Sequence, residues 1–201
     1  MRLLELFSGT KSVSKVAETF GFDVISLDLK KADTNCDILD WDYTIYQSGY
    51  FDVVWASPPC TEYSIAKSTR IRNIEYANKI VLRTIDIIKY FKPKYYIIEN
   101  PQTGLLKKQV FMNELPYVDI DYCKYGMPYR KRTRLWNNVF QWISKPLCLK
   151  DCDSMNGNKH KAMAQKGQIN NKSLKQSDLY VIPKSLIYDI FNSMVFCSYY
   201  L

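Results

Sequence analysis

Phe51-Asp52-Val53-Val54-Trp55-Ala56-Ser57-Pro58-Pro59-Cys60 is the stretch that decides how this chain folds. Its first six residues have strand character, and the two prolines that follow stiffen a turn that delivers a thiol. Downstream, Tyr95-Tyr96-Ile97-Ile98 repeats the pattern and runs into Glu99-Asn100-Pro101. In an open α/β sheet the parallel strands end on one edge, and ligands bind there. A soft nucleophile, Cys60, and a carboxyl group, Glu99, are thereby expected over one cleft. Taken alone, Cys60 reads as a small buried hydrophobe, the usual fate of an isolated cysteine. Its pairing with Glu99 argues for chemistry instead.

Working outward, Leu3-Leu4-Glu5-Leu6-Phe7 reads as a first strand and Ser8-Gly9-Thr10 as its turn. Val13, Val16, Ala17 and Phe20 then follow helical spacing, with Gly21 as the stop. Val24-Ile25-Ser26-Leu27 is a second strand that closes on Asp28, and the acidic stretch Asp37-Ile38-Leu39-Asp40 precedes the strand leading to Cys60. The apolar spacing predicts a helix from Ile74 to Tyr90, stopped by Pro93. Strands alternating with helices predict βαβ units and a mostly parallel α/β sheet. The opening strand, glycine turn, helix and acid also suit a nucleotide-like ligand.

Beyond Tyr117 the pattern changes. Val118–Cys123 and Arg134–Phe140 read as an antiparallel edge hairpin around Gly126 and Pro128. Residues 143–178 are polar and without period, and are expected to form a long loop. Pro183 opens a closing helix through Ile187, Ile190 and Met194. The expected division is a core over 1–142, a basic polar loop or reduced insertion over 143–180, and a closing helix over 181–201.

The chain of 201 residues, 47% of them hydrophobic, is long enough for a proper core. No run approaches the roughly 18 apolar residues of a membrane helix, and no secretory signal is visible. Six cysteines without a disulfide-like framework point to a reducing, intracellular setting. The net charge of +8 is concentrated in residues 121–180, which hold twelve Lys/Arg against four Asp/Glu. Tyr122, Tyr125, Tyr129, Trp136 and Trp142 interleave with that charge, a pattern that suits nucleic acid. A lysine-rich solubilising surface is the bland alternative. Cys148-x-x-x-Cys152 with His160 offers three ligands at a spacing wider than zinc pairs prefer, so no metal is expected there.

Leu6-Phe7-Ser8-Gly9-Thr10, Pro58-Pro59-Cys60-Thr61-Glu62-Tyr63-Ser64, Glu99-Asn100-Pro101 and Arg132-Thr133-Arg134 occur in that order. With them the chain resembles the DNA (cytosine-5) methyltransferases, especially the short ones of phages and large DNA viruses. The resemblance covers about residues 2–140 and the helix that starts near Ile182. It implies a Rossmann-like S-adenosylmethionine-dependent fold, base flipping, and a DNA substrate, with RNA as the alternative polymer. It implies Cys60 as the nucleophile, Glu99 as the acid at N3 of cytosine, and Arg132 or Arg134 at the base carbonyl. For the cofactor it implies Phe7, Gly9 and Thr10 in the first turn, Asp28 at the ribose, Asp37 at the adenine amino group, and Pro58 beside the sulfonium. Nucleic-acid phosphates are expected at Arg130, Lys131, Lys145, Lys159, Lys161 and Lys166.

Three departures stand out. Lys11 replaces the family's usual second glycine, the arginine motif is uncertain in register by one residue, and the large target-recognition region is missing. RNA methylation and a non-catalytic nucleic-acid-binding relic therefore stay open as alternatives at the level of sequence.

Overall fold

Strands β1 (Arg2–Leu6), β2 (Asp23–Asp28), β3 (Thr34–Asn35), β4 (Val53–Ala56) and β5 (Tyr95–Pro101) run parallel in the order β3-β2-β1-β4-β5. The computed structural model describes residues 1–65, 71–164, 168–169, 172–173 and 176–196. Near-continuous apolar strands such as Val53-Val54-Trp55-Ala56 need cover on both faces, and they have it. Leu3, Val53, Trp55 and Ile97 pack under α1 (Ser12–Thr19) and the closing helix α3 (Lys184–Phe196). Leu4, Leu6, Val54 and Ala56 pack on the other side with Ile80, Ile87 and Phe91 of α2 (Ile74–Phe91). The expected helix near 74–90 is thus present. It ends as Lys92 turns into the left-handed region at φ 47°, directly before Pro93.

The hairpin consists of β6 (Tyr117–Asp121) and β8 (Arg132–Asn137), with the two-residue strand β7 (Tyr129–Arg130) between them. Strand β8 inserts between β5 and β6 and runs antiparallel to both, so the edge strand is β6. The expected bounds were shifted: Tyr122–Tyr125 is a 3₁₀ turn, and β8 begins two residues before the expected Arg134. That shift brings Arg132 into the strand.

The described part of the polar segment holds more strand structure than its composition suggests. Strand β9 (Met155–Asn156) pairs antiparallel with β10 (Lys159–His160), and β11 (Ala162–Met163) pairs parallel with β7. Two-residue strands carry too little periodicity to be read from sequence. The expected loop is therefore partly strapped to the hairpin.

Candidate active site

The carboxyl ends of β1, β4 and β5 open onto one cleft of about 790 Å³. Phe7, Gly9, Thr10, Asp28, Asp37, Pro58, Cys60 and Glu99 all line it, so eight of the residues singled out from sequence share one cavity. The turn after β1 is tight. Phe7, Gly9 and Lys11 all have positive φ, at 61°, 40° and 53°, and the Asp28 carboxylate accepts from the Gly9 amide at 2.9 Å. Lys11 therefore occupies a conformation that favours glycine, at a cost of about 1 kcal/mol. Its side chain reaches away to Asp33 at 3.4 Å and is not part of the cleft wall.

The start of α1 carries no side-chain cap of its own. The cap comes from β1 instead, where buried Glu5 accepts from the Ser14 amide at 2.9 Å and from the Ser14 hydroxyl. Burial raises the Glu5 pKa, and the Ser14 hydrogen bonds oppose the rise. Sequence reading placed Glu5 only within the first strand. Its role is legible only once α1 is folded back over β1.

The thiol loop is tied to the acid strand. The Asn100 side-chain amide donates to the Pro58 carbonyl at 2.8 Å, fixing the Pro58-Pro59-Cys60 turn against the end of β5. The loop after Cys60 is held by a Leu105 amide that donates to the Tyr63 carbonyl at 2.9 Å. Gly104 sits beneath it, where an added Cβ would lie 3.2 Å from Pro101 O and 3.4 Å from Tyr63 O. Cys60 itself is half-buried.

Glu99 is 6% exposed and accepts from the Tyr122 hydroxyl at 2.9 Å through Oε1. Burial pushes the Tyr122 pKa well above its ordinary value and the neighbouring Glu99 charge pushes the same way, so the phenol stays protonated and donates. The Lys131 ammonium lies 3.7 Å from the same Oε1, 4.8 Å from the centre of the Tyr122 ring, and on the cleft wall.

Arg132 and Arg134 are elsewhere. Arg132 clamps Asp121 with two hydrogen bonds of 3.1 and 2.8 Å, and Arg134 clamps Asp119 at 2.7 and 2.9 Å while lying 3.6 Å from the Tyr117 ring centre. Side chains alternate between faces along a strand, and Glu99 stands opposite Leu135 whereas Asn100 stands opposite Arg134. The even-numbered arginines of β8 thus fall on the face away from Glu99, and the odd-numbered Lys131 falls on the Glu99 side. The one-residue uncertainty in register decides which cation reaches the cleft.

Of the proposed phosphate contacts, Lys145, Lys159 and Lys161 are exposed, and Arg130 lies 3.3 Å from Asp121. Lys166 lies outside the described residues.

The donor set suits a nucleotide-like cofactor. Among the described residues nothing hydrogen-bonds to buried Ser8 Oγ and Asn100 Oδ1, and both residues line the cleft. A buried orphan acceptor costs free energy unless something meets it, which marks this cavity as built for a polar ligand. Phe7, Ile38 and Ile80 supply apolar walls beside the carboxylates of Asp28 and Asp37.

The sequence pattern of the C-5 cytosine-specific DNA methylase family matches residues 1–115. The chain is also 35% identical over 212 residues to a Frog virus 3 (isolate Goorha) protein named "Probable DNA (cytosine-5)-methyltransferase", covering 94% of this chain and 98% of that one. The chain belongs to the C-5 cytosine-specific DNA methylases. As a methylase of this family it transfers methyl groups to C5 of cytosine in DNA. Among solved structures, the methylase shares its fold with the S. pombe Dnmt2 methyltransferase at 14% identity and a TM-score of 0.53, over 77% of this chain and 59% of that one. A prophage-encoded candidate DNA modification methyltransferase of E. coli aligns at 14% identity and a TM-score of 0.54, over 74% of this chain and 52% of that one. The methylase has, among the described residues, no helix long and apolar enough to cross a membrane.

Proposed function

We propose that this methylase uses S-adenosylmethionine and attacks a flipped cytosine of DNA with Cys60. What supports the reading is the convergence of the Phe7–Thr10 turn, Cys60 and Glu99 on one cleft. Phe7, Gly9 and Thr10 hold the methionine end, Asp28 the ribose hydroxyls and Asp37 the adenine amino group. S-adenosylmethionine, when bound, supplies an electrophilic methyl group. Pro58 and Ser8 border its reactive end.

Cytosine C5 is too weak a nucleophile to take that methyl group unaided. Addition of the Cys60 thiolate to C6, with Glu99 delivering a proton to N3, makes C5 the nucleophilic carbon of an enamine. Tyr122 and Lys131 both engage Oε1 of Glu99, which leaves Oε2 to face the base. Lys131 also takes the role that the sequence reading gave to Arg132 or Arg134, meeting the base carbonyl. After methyl transfer the C5 proton passes to solvent, Cys60 is eliminated as thiolate, and N3 returns its proton to Glu99, restoring the ring and both side chains. Lys145, Lys159 and Lys161, all exposed, meet the phosphates of the substrate strand.

The test is methyl transfer from tritiated S-adenosylmethionine to DNA and to RNA of matched sequence. Wild type labels DNA, Cys60→Ala labels neither polymer, and a 5-fluorocytosine duplex traps wild type covalently because fluorine cannot leave C5 as a proton does. Near-normal turnover by Cys60→Ala overturns the mechanism. Label on RNA alone overturns the substrate.

A further inference from the structure

Outside the catalytic cleft, four side chains from three parts of the chain meet in one small volume. Cys123 comes from the 3₁₀ turn after β6, Cys148 and Cys152 from the loop beyond Trp142, and His160 from β10. Their ligand atoms all lie within 4.8 Å of one another, and Cys148 Sγ is 3.5 Å from His160 Nε2. In a tetrahedral zinc site, Zn–S bonds of about 2.3 Å and Zn–N bonds of about 2.0–2.1 Å put sulfur and nitrogen about 3.5 Å apart and two sulfurs about 3.8 Å apart. The cluster needs only small rotations of its side chains to match.

We propose that Cys123, Cys148, Cys152 and His160 bind one structural Zn²⁺ ion that staples the polar segment to the strand hairpin. Three thiolates and an imidazole are the soft, closed donor set of structural zinc, and they leave no position open for catalysis. The surroundings suit thiolate charge. The Lys150 amide donates to Cys148 Sγ at 3.3 Å, and Lys124, Lys150 and Arg130 lie within electrostatic range of the cluster. The outer shell holds the ligands in place. Buried Asp121 accepts from the Cys148 amide at 3.0 Å, and the Lys124–Asp151 ion pair of 2.7 Å bridges the two loops that carry the thiols. Binding releases three thiol protons and gives a site of net charge −1, which those three cations offset.

The placement gives the ion a task. Cys123 directly follows Tyr122, the donor to Glu99, so a staple at Cys123 fixes that phenol as well as the exposed Lys159 and Lys161 that flank His160. Sequence spacing hid the site because the fourth ligand is Cys123, far upstream of the Cys148-x-x-x-Cys152 pair.

The staple is tested on the full chain purified under reducing conditions without chelator. Elemental analysis is expected to give one zinc per chain, released by an organomercurial reagent. Cobalt exchanged into the site is expected to show tetrahedral d–d bands and sulfur-to-metal charge transfer. Cys152→Ser, at a half-buried ligand, weakens zinc binding by about a hundredfold or more, and His160→Cys retains the ion with an added thiolate band. A folded chain without zinc that develops no cobalt–thiolate bands overturns the proposal. So do iron in place of zinc and a disulfide joining two of the three cysteines. None of these readouts depends on methyl transfer, so an inactive chain that holds zinc leaves the staple standing.

Discussion

The parallel half of the sheet and the antiparallel hairpin with its polar segment use their polar side chains in opposite ways. At the ends of β1, β4 and β5, carboxylates, hydroxyls and a thiol turn into the cleft, and two buried acceptors, Ser8 Oγ and Asn100 Oδ1, have no partner among the described residues. On the hairpin and the polar segment the charges answer one another. Arg132 meets Asp121, Arg134 meets Asp119, Lys124 meets Asp151, and the sulfurs converge with His160. One region holds its polar groups ready for a ligand, and the other spends them on holding itself together. A basic net charge therefore overstates how much of residues 121–180 is available to DNA.

The contrast breaks first if the wrong cation matters. Lys131→Ala is expected to lower turnover by about a hundredfold with stability little changed, whereas Arg134→Ala lowers turnover per folded molecule by no more than about threefold. Steady-state kinetics normalised to folded protein decides it, and a larger loss in Arg134→Ala would return the base-carbonyl role to that arginine.

Next in size is Arg132→Ala, which leaves buried Asp121 short of two hydrogen bonds, its shortest among them, and should cost about 2 kcal/mol in denaturant unfolding. A pH series sharpens the result. Burial alone would raise the Asp121 pKa, but the Arg132 hydrogen bonds, the Cys148 amide and the Arg130 charge together hold it below the ordinary carboxylate value. A carboxylate with a lowered folded pKa contributes stability above its unfolded pKa and loses it as pH falls through the folded one. Wild type should therefore lose stability on acidification below about pH 4, and Arg132→Ala should lose less over the same interval. Parallel acid limbs for the two proteins would count against the pairing.

Gly104→Ala probes the other region. The new methyl meets backbone oxygens of Pro101 and Tyr63, so the loop beyond Cys60 must shift by a few tenths of an ångström. Turnover is expected to fall about tenfold with cofactor affinity unchanged, and unchanged kinetics would show that the loop tolerates the displacement. The smallest effect is at Lys11→Gly, where relief of the left-handed conformation should stabilise the fold by about 1 kcal/mol in thermal unfolding. S-adenosylmethionine affinity by calorimetry should stay within about twofold, since the Lys11 side chain is directed to Asp33 rather than into the cleft. A marked tightening would instead make Lys11 a brake on the cofactor turn.

Most of the fold was legible because its central strands β1, β4 and β5 are short, mostly buried runs and the chain is punctuated by Gly9, Gly21, Pro58 and Pro93, and such local signals survive folding. The cleft was legible for the same reason, since each lining motif ends a parallel strand. The hairpin was not. Whether Lys131 or its neighbours face Glu99 depends on how β8 pairs with β5, Glu99 standing opposite Leu135, and one residue of register flips every side chain. The Cys123–His160 cluster depends on contacts between segments that share no local pattern, and no periodicity announces them.

The amide bond from Asn100 to Pro58 has a mechanical consequence. Glu99 and Asn100 are neighbours on a single strand, so one rigid backbone unit carries the acid and anchors the loop that carries the thiol. The spacing between the Cys60 thiol and the Glu99 carboxyl group is then set by strand geometry rather than by loop flexibility. A shift of β5 moves both groups together as a caliper of fixed width, and whatever enters the cleft must fit that caliper.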